Sequence, residues 1–223
     1  PRDAKRSLGK NPNIIIARGT GAGVRGPDRE KGGFDAATYL SRGGVSYTMT
    51  PFGTETPAVQ GPGFGDLQGG ITLAGGVCAA LFHRERTGEP SVVDVSLLGS
   101  QIWAQASEYT YYLSSGDLPG RPNRGHPMIA GLYGIMPTAD GWIALAVTEN
   151  QWPIVANAMG RPDMATDERY STNLQRKLHS AEVLGALTDW LSGLTTKEVV
   201  DLLGGRVPIG PVNTVADIFA DPH

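Results

Sequence analysis

One carboxylate, Asp66, stands among five glycines in residues 61–70, directly ahead of the apolar stretch 71–82. A carboxylate has two uses in such a setting. With glycines removing bulk around it, Asp66 can meet a large substrate and attack an electrophilic carbon. Asp is also a preferred helix N-cap, and a helix beginning near Leu67 would use it that way. The local pattern by itself favours the cap. In either case, a helix starting here aims unpaired N–H groups at nearby negative charge.

Other candidates are weaker. Gly21, Gly23 and Gly26 have the G-x-G-x-x-G spacing of dinucleotide-binding loops and follow an apolar run. The next residues, 27–33, are charged and broken, whereas a pyrophosphate site needs an amphipathic helix there. A strand-end loop touching some ligand fits better than a nicotinamide or flavin site. The four histidines, His83, His126, His179 and His223, lack metal-ligand spacing, and the single cysteine cannot help them. No G-x-S-x-G elbow supports a serine nucleophile. Cys78 lies in an apolar run and is expected to be a buried, inert thiol. Glu149 ends an apolar run and can either enter a site or cap the following helix. Arg84 and Arg86 are expected to be solvated or paired with Glu85 and Asp94.

The elements that must position these groups follow from periodicity. Residues 13–17 form a short apolar run, the pattern of a strand buried on both faces. Helices are expected over 34–45 and 67–86, the second closed by Gly88 and Pro90. Residues 92–96 alternate like a strand, and 97–113 return to helix. Further on, 131–136 and 142–147 read as a hairpin around Asp140-Gly141. Helices fit 150–159, 180–191 and 196–203, the last capped by Thr195 or Thr196, with 207–212 an extended exit. The fold class is α/β in two unequal parts, 1–113 and 127–223, joined by a Pro/Gly-rich linker over 114–126.

Composition bounds the rest. A chain of 223 residues with 40% hydrophobic and 18% charged residues suits one or two globular domains. A net charge of −3 gives no reason to expect nucleic acid or an anionic membrane as partner. No stretch has the apolar length of a membrane span. The start at Pro1 has neither Met nor a signal-peptide pattern, which reads as a trimmed chain. A cytoplasmic enzyme or binding protein is expected.

Taken in order, these segments resemble the class III CoA-transferase family, which includes the α-methylacyl-CoA racemases. The resemblance rests on residues 11–27, on Gly65-Asp66 with the small-residue helix and residues 81–88, and on 92–97, 137–143 and 207–213. It implies a partial Rossmann-like large domain, a smaller α+β domain, and an interlocked homodimer. It also implies that Asp66 matches the carboxylate that forms a covalent aspartyl adduct during CoA transfer from an acyl-CoA to a carboxylic acid. Arg18, Gly21, Gly23, Phe34, Asp35, Gly65 and Glu149 fall at positions expected to contact substrate or coenzyme A. Coenzyme A enters as a co-substrate, and the chemistry calls for no prosthetic group and no metal.

The racemase branch instead moves a proton α to the thioester, which takes two acid/base groups on opposite sides. Its characteristic histidine falls at Phe34 here, and phenylalanine cannot transfer a proton. A racemase using Asp66 and Glu149, or a non-catalytic CoA-binding fragment with Asp66 as a cap, are the rival readings. Family members are longer than this chain, and residues 120–134, with Arg121, Arg124 and His126, stand where some transferases carry a covering glycine loop.

Overall fold

The computed structural model describes residues 9–51, 53–119, 128–129 and 131–223. The chain divides into two compact units, residues 1–118 and 119–223.

In the first unit, strand β1 (Ile16–Thr20) pairs in parallel with β2 (Val92–Ser96), from Ile16 opposite Val92 to Thr20 opposite Ser96. The expected strand over 13–17 is therefore displaced by three residues, to where hydrogen-bonded partners exist. Half-buried and exposed residues alternate along β1, so it is not buried on both faces as its composition suggested.

The crossover between these strands carries three helices. The first, α1 (Asp35–Arg42), is wound as a π-helix, with Gly43 N–H reaching back five residues to the Thr38 carbonyl at 3.1 Å. A short α2 (Val45–Met49) follows, and the expected helix over 34–45 is split between the two. Next comes α3 (Phe64–Thr87), closed at Gly88, whose N–H bonds the Arg84 carbonyl at 2.8 Å as its Gly-Pro signal predicts. After β2, the predicted single helix is broken at Gln105 into α4 (Leu97–Ala104) and α5 (Ala106–Ser115). The Gln105 side chain donates to the Gly43 carbonyl at 3.1 Å and accepts from Thr48. The kink thus coincides with a tertiary anchor that no local pattern encodes.

The core of this unit is small: Tyr39, Leu40 and Val45, with Leu97 packed against them. Large apolar residues on α3 to α5 instead face outward, among them Leu67, Ile71, Phe82, Trp103 and Leu113. Cys78 is also exposed, which corrects the expectation of a buried thiol. Of the three arginines near this helix, Arg18 and not Arg84 or Arg86 pairs with Asp94. Arg84 pairs with Glu85 at 3.8 Å as expected and donates to the Asn13 carbonyl at 3.1 Å, and Arg86 stacks over Phe82.

The second unit is built on an antiparallel sheet, β3 (Leu132–Pro137), β4 (Trp142–Val147) and β5 (Ile209–Pro211), in the order β3-β4-β5. The predicted hairpin is present, with Pro137 opposite Trp142, and the exit segment supplies β5. A 3₁₀ turn (Glu149–Gln151) leads into α6 (Trp152–Ala158). Three short elements that the periodicity missed follow: α7 (Pro162–Thr166), the 3₁₀ turn Glu168–Tyr170 and α8 (Asn173–Leu178). Then come α9 (Ser180–Ser192), α10 (Thr196–Leu203) and, after β5, α11 (Val215–Ala220). Alternate residues of β4 and the inner faces of α6, α9 and α10 close a continuous core, with Ile143, Val155, Leu187, Leu191, Val199 and Leu203 fully buried. Among the described residues no helix is long and apolar enough to cross a membrane.

Candidate functional site

Both parallel strands of the first unit end at the same place, and a cavity of about 540 Å³ opens there. Ligands of open α/β sheets gather beyond the carboxyl ends of the strands, because the backbone diverges there and helix N-termini point in. One wall is made by Gly19, Thr20 and Gly21 from the end of β1, with Val95 and Ser96 from the end of β2. The opposite wall is the first turns of α3, with Asp66, Gly69, Gly70 and Leu73. The loop 29–33 completes it.

Helix α3 begins at Phe64, three residues earlier than the periodicity suggested. Its N-cap is Gly63, which has no side chain to cap with, and Asp66 sits inside the first turn. The capping role considered for Asp66 is therefore corrected. The carboxylate is exposed on the cavity wall, with no hydrogen-bond or ion-pair partner among the described residues. One side of α3 is lined by glycine, so a ligand reaching Asp66 meets backbone at Gly69 and Gly70.

The residue that does cap α3 comes from α1. Asp35, only 8% exposed, accepts the Gly65 N–H on its Oδ1 at 2.8 Å. A Cβ on Gly65 would lie 2.2 Å from Tyr39 Cγ and 2.5 Å from Asp35 Oδ1, so no other residue fits without displacing α1. Burial and the neighbouring Asp35 charge push the Tyr39 phenol above its ordinary range. On the other wall, Gly21 and Gly33 approach so closely that a Cβ on Gly21 would sit 2.5 Å from the Gly33 Cα. That contact draws the charged loop against the strand end.

Electrostatics at the mouth come from this loop. Arg29 and Lys31 line the cavity beside Glu30. Lys31 pairs with Asp28 at 2.8 Å, and Asp28 also holds Arg42 at 2.7 Å. The Lys31 and Arg42 contacts, in that order, hold the Asp28 carboxyl below its ordinary value. The charges that make this loop unfit for a dinucleotide are the ones that line the cavity. The loop's signal was the Gly32-Gly33 pair directly behind the charges.

Arg18 is not on the cavity wall; it makes a two-point pair with Asp94 on the neighbouring strand, at 2.5 and 2.8 Å. Gly23 has φ of 101°, and a Cβ placed on it would lie 3.8 Å from Ser96 Oγ. Ser96 in turn caps α4 by accepting the Gly99 N–H. Phe34 is 79% exposed and immediately precedes α1. Glu149 belongs to the second unit, where its Oε1 accepts the Asn173 N–H at 3.0 Å at the start of α8. Beside it, Arg176 is buried, donating to the Tyr170 carbonyl and to Asn173, and stacked on Trp152. Burial lowers the Arg176 pKa, with the Glu149 charge opposing. Arg121, Arg124 and His126 lie outside the described residues. Among the described residues no group of three His, Cys, Asp or Glu side chains is placed to hold a metal.

The model of CoA-transferase family III matches residues 3–223. A succinate–glutarate CoA-transferase of Agrobacterium fabrum is 35% identical, over 96% of this chain and 53% of its own length. A succinyl-CoA:mesaconate CoA-transferase of Haloarcula hispanica is 34% identical, over 96% and 54%. Among solved structures, a CAIB/BAIF family protein from Brucella suis aligns with a TM-score of 0.76 at 31% identity, covering 98% of this chain and 57% of that one. A hypothetical protein from Mycobacterium tuberculosis aligns at 0.81 and 28%, covering 96% and 57%. The chain spans about half the length of the curated relatives it matches.

Proposed function

Because the chain belongs to CoA-transferase family III, we propose that it carries the nucleophile of an acyl-CoA:carboxylate CoA-transferase, and that this nucleophile is Asp66. What carries the reading is the placement of one unpartnered carboxylate on the cavity at the strand ends. A carboxylate oxygen attacks the thioester carbonyl, the C–S bond breaks, and CoA leaves as thiolate, giving a mixed anhydride with Asp66. The thiolate then attacks the Asp66 carbonyl and releases the donor acid, leaving a CoA thioester on the enzyme. The acceptor's carboxylate attacks that thioester and frees the thiolate again. Thiolate attack on the acceptor's acyl carbon finally yields the new acyl-CoA and restores Asp66. Each step passes through an oxyanion, which backbone N–H groups of the glycine-lined walls can stabilise without blocking approach.

Arg29 and Lys31 line the rim already paired, with Glu30 at 3.5 Å and with Asp28 at 2.8 Å. The relatives named for succinate, glutarate and mesaconate support small dicarboxylic acids as donor and acceptor. The assembly proposed is a homodimer, as the family resemblance implies. No observation favours the α-methylacyl-CoA racemase reading: Phe34 offers no proton, and Glu149, the second group that reading calls on, accepts the Asn173 N–H at 3.0 Å.

The test is intact-mass analysis with acyl-CoA, followed by hydroxylamine. A hydroxamate mapped to Asp66 is expected, and Asp66→Ala should abolish both adduct and exchange. Thioester exchange at the native rate by Asp66→Ala would end this reading.

A further inference from the structure

Asp35 is the buried acidic group beside the site that the transfer chemistry leaves without a task. Its Oδ1 accepts the Gly65 N–H, while its Oδ2 is buried with no partner. Leaving a buried carboxylate oxygen unpaired is costly, and such costs need a compensating reason. The Gly65 amide is one of the helix-start donors that lack an acceptor within their own helix. Since Gly63 cannot supply one, the bond arrives from α1, thirty residues away in sequence. One turn along α1, Tyr39 presses on the same glycine and meets Phe64 edge to face, with centroids 6.2 Å apart. Two side chains of α1 thus hold residues 64 and 65, and the next residue is Asp66.

We propose that Asp35 is a positioning residue for the transfer reaction: its Oδ1, by holding the Gly65 N–H, fixes the peptide that presents the Asp66 carboxylate to the cavity. The proposal rests on the nucleophile reading above. It assigns Asp35 to the protein side of the site, where the family resemblance had suggested a substrate contact. Reaction rates depend on placement within about 1 Å, and misplacement on that scale costs about 100-fold. Loss of the bond acts on chemistry more than on substrate capture, because Asp35 lies behind Gly65 and is buried.

The experiment compares Asp35→Ala and Asp35→Asn in the full chain, measuring kcat, KM for acyl-CoA, and hydrogen exchange of the Gly65 amide. Asparagine keeps an oxygen acceptor of the same reach, and alanine removes it. The expected result is a kcat loss of about 100-fold in Asp35→Ala. With it, KM changes less than about twofold, the Gly65 amide loses protection, and Asp35→Asn recovers both kcat and protection. A native kcat in Asp35→Ala, a loss confined to KM, or equal loss in both variants overturns the proposal. Should Asp35→Ala not fold, Asp35→Asn decides alone: kcat that follows Gly65 protection supports the proposal, and kcat independent of it overturns it. Asp66→Ala, run alongside, separates the two ideas. If it exchanges thioesters normally, the nucleophile reading falls. If it is inactive while Asp35→Ala is native, only the positioning role falls.

Discussion

Gly63, Phe64 and Gly65 give α3 a first turn in which Asp66 has no capping duty, since the Gly65 amide is already bonded to Asp35. The two acidic residues divide the work that a local reading would assign to one. A cap lost to alanine costs about 0.5–2 kcal/mol, whereas an exposed side chain without partners changes stability by less than about 0.5 kcal/mol. Asp66→Ala should therefore leave the urea midpoint almost unmoved while removing exchange activity. A stability loss in the capping range would show that the carboxylate serves the helix. This distinction was not legible in the chain alone. Asp66 announced itself through its glycines, but the partner of Gly65 lies on another element, and no spacing rule connects residues 35 and 65.

The elements themselves were more readable where chemistry is local. The Asp140-Gly141 turn fixes the hairpin because its sharp reversal and the alternation on either side agree. The cap of α10 was visible to within one residue: of Thr195 and Thr196 it is Thr195 that accepts the Glu198 N–H, and Glu198 accepts the Thr195 N–H at 2.8 Å and hydroxyl at 2.7 Å. Elements shaped by distant contacts were not, such as the break at Gln105 and the π-wound α1. The box on α10 makes a pH prediction. Hydrogen bonds from the Thr195 hydroxyl and N–H hold the Glu198 carboxyl below its ordinary value of 4.5. A depressed folded pKa means its contribution is complete above 4.5 and disappears as pH falls through the lower, folded value. In urea titrations, the gap between the native protein and Glu198→Gln should be widest near neutrality and close below pH 4.5. A gap independent of pH would refute the assignment. Thr195→Ala should cost about 1 kcal/mol at neutral pH.

At the scale of the molecule the two units differ in how they bury apolar surface. The second has a continuous core drawn from its sheet and from α6, α7, α9 and α10, with Trp152, Leu145 and Met164 among its largest buried side chains. Among the described residues the first clusters only Tyr39, Leu40 and Val45, with Ala80 buried apart from them, and Trp103 and Leu113 are about four-fifths exposed, at 80% and 81%. A fragment of residues 128–223 should accordingly unfold as one cooperative transition, while 1–118 alone should bind an apolar dye and lack such a transition. Cooperative unfolding of the first fragment and not the second would reverse this ranking.

Arg18 and Asp94 meet across 76 residues of chain, and the same pairing brings together the two strand ends that floor the cavity. Closing so long a loop costs entropy before any contact repays it, and non-local pairings of this kind form slowly. Helices of the first unit can wind early, but the cavity exists only once two distant strands have found each other.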